Sequence, residues 1–194
     1  MRNLSFMLLI VVASAGCGYN DSVAADQAVK AKWSDVEAAY QRRYDLIPNL
    51  VKTVQASANF EKSTLTEVMQ ARASATQIKL TADDLSDPKK MAAFQAAQGQ
   101  LSSALSRLMV VAENYPTLKS TQSFTDLMSQ LEGTENRINT EIHKYNDLVA
   151  TYNNVVLQFP SSIGSGMRGF KERPTFKAKE GAENAPQVDF GNGK

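Results

Sequence analysis

Across 194 residues there is one cysteine, Cys17, and one histidine, His143. That leaves no material for the His/Cys clusters on which zinc sites are built, so no metal is expected. Dimetal centres in helical bundles add Glu-x-x-His motifs, and none occurs; His143 reads as a structural or solvent-facing side chain. A lone cysteine also rules out an internal disulfide framework. Glycine (10) and proline (6) are few and aromatics make up 8%, a balance that favours helices over sheets. Neither charge dominates, with 21 Lys and Arg against 20 Asp and Glu, and no basic block marks a nucleic-acid partner. A nucleophile elbow, a phosphate loop and a dinucleotide fingerprint are all missing. Gly164, Gly166 and Gly169 follow no strand and read as helix-ending residues, so no cofactor is expected.

Long apolar runs are scarce as well. The run LSFMLLIVVA, preceded by Arg2, falls short of the about 20 residues a bilayer span needs. It suits the hydrophobic region of a secretory signal, with Ser14-Ala15-Gly16 at the cleavage site. Cys17 follows at once, and the stretch resembles a bacterial lipobox, in which cleavage exposes a cysteine that carries acyl chains on its thiol and amine. Ser14 departs from the Leu usual there, and an ordinary signal with an incidental cysteine is the plainer alternative. Two or more acyl chains anchor stably, at about 0.8 kcal/mol per buried CH₂. The expected division is a signal peptide over 1–16, a lipidated Cys17 with a flexible tether over 17–27, a helical domain over 28–172 and a poorly ordered tail over 173–194. The expected location is the bacterial cell envelope, lipid-anchored and facing the periplasm, or the outer surface in a Gram-positive cell. Gly18 lacks the aspartate that retains many lipoproteins at the inner membrane, which leans outward but leaves the choice of membrane open.

Apolar residues from Trp33 to Val68 recur at steps of three and four, the period of a helix lying nearly parallel to its neighbours. The stripe passes Pro48 without losing phase, which predicts one helix kinked there rather than two. After TADDLSDPKK, Asp87 can cap a second helix with Pro88 at its first position. That stripe runs from Met91 to Tyr115 and closes at Pro116. A third runs from Phe124 to Phe159. Short connections make successive helices antiparallel, so the predicted fold is all-α, an elongated up-and-down bundle of long helices. SSIGSGMRGFKERP adds at most a short helix.

Two polar patches invite a chemical reading. Arg42, Arg43 and Asp45 surround Pro48, while LEGTENRI holds Glu132, Glu135, Asn136 and Arg137. Two carboxylates three residues apart could act as general acid and base on a glycan, but such pairs are common on long helices and are usually just solvated or ion-paired. If the first and third stripes lie side by side, the two patches pair into a polar lock that sets register. Asn139, Asn146 and Asn153 follow a seven-residue spacing beside the apolar seam. Bonds across helices and a plain polar face are both open for them.

WSDVEAAYQRRYDLIPNLVKTV, LTEVMQARA, LSRLMVVAENYPTLK, FTDLMSQLEGTENRI, KYNDLVATYNNVVLQFP and GFKERPTFKAKEGAENAPQVDF together resemble the LemA family of bacterial membrane-associated proteins. The resemblance covers most of residues 33–190. It implies an elongated antiparallel four-helix bundle tethered at a membrane, in a family whose members mostly lack an assigned activity and some of which are linked to magnetosomes. Typical members keep an N-terminal transmembrane helix, where this chain has a lipobox-like signal. Thr175 also stands where the family's tail usually has an aromatic before Phe176.

Two functions from different classes follow. One is a non-catalytic, lipid-anchored module that binds another envelope or membrane protein, or organises membrane, with RRYDLIPNLV and LEGTENRI as one structural locus. The other is an envelope hydrolase, acting on peptidoglycan or another glycan through Glu132 or Glu135. Direct membrane remodelling by the bundle surface is a third.

Overall fold

The computed structural model describes residues 2–57 and 60–177, with side chains from Asn20 onward. The architecture is an all-α bundle with four principal helices, α1 (Arg2–Gln55), α2 (Lys62–Gln77), α3 (Pro88–Ala112) and α5 (Gln122–Leu157). Two short helices, α4 (Pro116–Lys119) and α6 (Ser161–Met167), join them, and no strand occurs among the described residues. No helix among the described residues is long and apolar enough to cross a membrane.

The heptad-like stripes become the core. Val36, Ile47, Leu50, Leu101 and Leu108 are fully buried, each contributing about 1.5–3 kcal/mol through removal of its surface from water. α1 packs mainly on α5, and α2 on α3. α1 and α5 run antiparallel, since Arg43 bonds Glu135 while Trp33 meets Tyr145, with ring centroids 5.6 Å apart. Each step toward the start of α1 is therefore matched by a step toward the end of α5.

α1 continues unbroken through Pro48. α3 begins as its sequence demands, with Pro88 in its first turn and the Asp87 side chain accepting from the amides of Lys89 and Lys90 at 2.9 and 3.3 Å.

Three expectations need correction. The stripe from Trp33 to Val68 is two helices, for α1 ends at Gln55 and α2 begins at Lys62. Phe60, in the break, turns inward onto Tyr115 with centroids 4.8 Å apart, and the two helices happen to share an apolar phase. The segment 17–27, expected as a tether, is helical, and Ser22 and Asp26 within it are buried. The tail expected from 173 onward is docked over 173–177; its remainder, like the side chain of Cys17, lies outside the described residues.

Candidate functional site

Arg43 is 2% exposed and anchors a polar cluster inside the bundle. Its Nη1 donates to Glu135 Oε2 and Ser102 Oγ, both at 3.0 Å, and its Nη2 to Gln98 Oε1 at 2.6 Å. The guanidinium lies 5.1 Å from the centre of the Tyr40 ring, within cation–π range. The Gln98 amide passes the network on by donating to the Tyr44 hydroxyl. Burial pushes the Tyr40 and Tyr44 phenols up, which keeps both neutral. One guanidinium thus ties α1 to both α3 and α5, using the planar fork that lysine lacks.

Of the residues expected to pair, only Arg43 and Glu135 are brought together. Arg42 and Asp45 face outward, with Asp45 accepting from Gln41 on its own helix at 2.7 Å. Glu132, Asn136 and Arg137 are exposed, as is His143. Helical spacing explains the split: Glu132 and Arg137 stand about 60 and 160 degrees round the axis from Glu135, away from α1. Pro48 leaves the Tyr44 carbonyl without its intrahelical donor, and Arg72 Nε of α2 supplies one at 2.8 Å. Gln98, Ser102 and Arg72 escaped notice in the sequence. For Gln98 a signal existed, a glutamine four residues after Phe94 on an otherwise apolar stripe.

The asparagine row holds main chain, not another helix. The Asn146 amide donates to the Phe176 carbonyl at 3.1 Å and accepts from the Phe176 amide at 2.9 Å. Asn153 does the same with Arg173, at 2.9 Å in both directions. Seven helical residues rise about 10.5 Å, and three extended residues span about 10 Å. The two periods match, so one helix face presents paired donors and acceptors to every third residue of an extended chain. Two side chains of that segment, Arg173 and Phe176, point inward. Arg173 Nη2 meets Asp26 at 2.7 Å, both about 5% exposed, and its guanidinium lies 4.6 Å from the Tyr152 ring centre. Phe176 stacks on Trp33 at 6.1 Å and meets Tyr145 edge-on at 5.7 Å. Thr175 faces solvent, so an aromatic at that position is not needed for docking.

Where the described tail ends, an open groove begins between α3 and α5 and extends over α2 at Glu67, Gln70, Ala71 and Ser74, about 1280 Å³ in all. Asn139 and Ile142 stand in one wall, Gln95 and Ser103 in the other, and the Arg43 cluster lies at the bottom. The Lys177 amide already leans on Gln95 Oε1 at 3.4 Å. Asn139 is seven residues before Asn146, the next position of the row. Among the described residues no group of three or more His, Cys, Asp or Glu converges as a metal site.

Residues 32–190 match the LemA family. The chain belongs to the LemA family. Its match runs from within α1, next to Trp33, to well past the docked tail. This LemA chain is similar to magnetosome protein MamQ 2 of Paramagnetospirillum magneticum, with 29% identity over 180 residues, covering 83% of the chain and 65% of the relative. MamQ of Magnetospirillum gryphiswaldense is 28% identical over 189 residues, covering 88% and 70%. Protein LemA of Metamycoplasma hominis is 22% identical over 161 residues, covering 79% and 69%. The chain therefore spans about two thirds of the length of these curated relatives.

Proposed function

We propose that this LemA chain is a membrane-anchored, non-catalytic module of the bacterial envelope that holds an extended segment of another envelope protein in the groove between α3 and α5. The observation that carries the reading is the paired clasp of Asn146 and Asn153 on extended main chain, together with a third asparagine, Asn139, in the wall of the open groove. Such recognition works as strand addition does, with main-chain bonds supplying affinity and alternate side chains supplying specificity. Acylation of Cys17 is the proposed anchor, supported by the lipobox-like run before it. Resemblance to proteins named for the magnetosome supports a membrane setting. The hydrolase alternative loses ground because Glu135 already accepts from Arg43, which leaves Glu132 alone on an exposed face.

The test is site-specific photocrosslinking in intact cells. A photoreactive residue at Ser103, inside the groove, is compared with one at the exposed Asn136 outside it. Crosslinks from 103, absent from 136, that map by peptide sequencing to one stretch of an envelope protein support the proposal. Crosslinks confined to the chain's own residues 178–194, or no difference between the two positions, overturn it.

A further inference from the structure

Large apolar side chains are exposed at one end of the bundle out of proportion to the rest. Six are exposed among the described residues, and four of them, Leu157, Phe159, Ile163 and Met167, fall within eleven residues at the turn from α5 to α6. Phe159 is 81% exposed and Met167 85%. Ile163 and Met167 are four apart on α6 and so share a face. The other two, Met69 and Val110, stand apart on α2 and α3. Scattered single residues need no explanation, whereas a contiguous patch does.

The antiparallel register says what lies beside this patch. Arg43 pairs with Glu135, and Trp33 with Tyr145. Near the end of α5, Arg173 bridges Asp26 and Tyr152. Continued at equal steps, the register brings Leu157, the last residue of α5, level with Asp21 of α1, four residues from Cys17, and Phe159 follows two residues on. Because the segment expected as a flexible tether is helical, the patch cannot drift far from whatever holds Cys17. The exposed charges close by balance, Arg168 and Lys171 against Glu172 and, on α1, Asp21, so it is the apolar side chains that set this end of the bundle apart.

We infer that the α5–α6 turn, through Leu157, Phe159, Ile163 and Met167, is seated in the headgroup and upper acyl region of the bilayer that holds the N-terminus. The bundle then stands on the membrane by two contacts, and the groove, whose wall at Asn139 is about 30 Å along α5 from Phe159, is held off the surface. Insertion to about 5–10 Å is what such an apolar face reaches in an interface. This inference rests on the anchored reading above.

The experiment uses the full-length lipidated chain in vesicles of mixed neutral and anionic phospholipid, with bromine in the upper acyl chains of the lipid. Phe159→Trp, Met167→Trp and, as a reference, Val110→Trp are compared; all three positions are exposed, so the fold is not threatened, and the native Trp33 is buried and supplies a constant background. The inference expects emission from positions 159 and 167 to shift to the blue and to be quenched by bromine, with position 110 unaffected. If the chain floats with the vesicles while 159 and 167 remain as open to an aqueous quencher as 110, the second contact is wrong and the anchor stands. If the chain does not float with vesicles at all, anchoring and contact both fall.

Discussion

Arg72 on α2 donates from Nε to the main-chain carbonyl of Tyr44 on α1, at 2.8 Å. That carbonyl is the one Pro48 leaves vacant, since proline has no N–H and its ring crowds the carbonyl four residues back. The helix breaker is therefore housed by a neighbouring helix instead of ending its own. A charged donor to a half-buried carbonyl contributes about 1.5–3 kcal/mol. Arg72→Leu is expected to destabilise by about 1–2 kcal/mol in chemical denaturation. In a Pro48→Ala background, where the new N–H serves Tyr44 within the helix, the same change is expected to lose at least half its effect. Equal effects in the two backgrounds would contradict the pairing.

Arg43 and Glu135 differ in burial, and their substitutions should differ accordingly. The Arg43 side chain is 2% exposed and Glu135 44%. Arg43→Leu strands the Gln98 carbonyl oxygen and the Ser102 hydroxyl as well as the carboxylate, a loss of about 2–4 kcal/mol. Glu135→Gln keeps an acceptor and changes only a half-exposed ion pair, about 0–1 kcal/mol. Thermal unfolding of the two variants checks the order. Arg43→Lys should track Arg43→Leu more closely than wild type, because an ammonium cannot satisfy three acceptors on two helices in a plane.

Tyr145 has the opposite problem. Its ring is buried, and its hydroxyl meets no hydrogen-bond partner among the described residues. Burial pushes the phenol up to about 12, with Arg173 pulling the other way. A folded-state value above that of the unfolded chain, about 10, means that stability is intact below pH 10 and declines as pH rises toward 12. Tyr145→Phe is expected to be neutral or to stabilise by up to about 1 kcal/mol at pH 7. It should also flatten the alkaline decline, only in part, because burial raises Tyr40, Tyr44 and Tyr152 too. Urea midpoints from pH 7 to 11.5 measure both effects.

The anchor is open to intact mass measurement. Mature protein isolated from membranes is expected to begin at Cys17 and to carry at least two acyl chains. Cys17→Ser should lack them and leave the membrane fraction on washing. An unmodified Cys17, or a mature chain that retains residues 1–16, would count against lipid anchoring.

The helical class and the antiparallel pairing of the first and last long stripes were legible because core spacing repeats over many turns. The capped start of α3 was equally plain, since Asp87-Pro88 is a local signal that needs no partner. Half of the polar lock could be read and half could not. Arg43 and Glu135 lie on helices whose facing was inferable, but choosing Arg43 over Arg42 needs the helix rotation, and Gln98 and Ser102 come from a third helix. The break at 56–61 hid because α1 and α2 continue one apolar phase. The tail hid for a different reason. A polar segment with proline has no periodicity of its own, and its order is lent by Asn146, Asn153, Asp26 and Trp33, from 20 to 147 residues away in the chain.

The central claim is that the asparagine row of α5 grips extended main chain, and amide hydrogen exchange tests it most directly. In wild-type protein the amides of Arg173 and Phe176 should be protected although no helix contains them. Asn153→Ala should speed exchange at Arg173, and Asn146→Ala at Phe176, by about tenfold or more, the equivalent of one lost clasp at about 1.4 kcal/mol. Core amides of α1 and α5 should keep their rates, since alanine is the better helix former. Exchange of both amides at the rate of a free peptide in wild-type protein, or protection untouched by either substitution, would contradict the account.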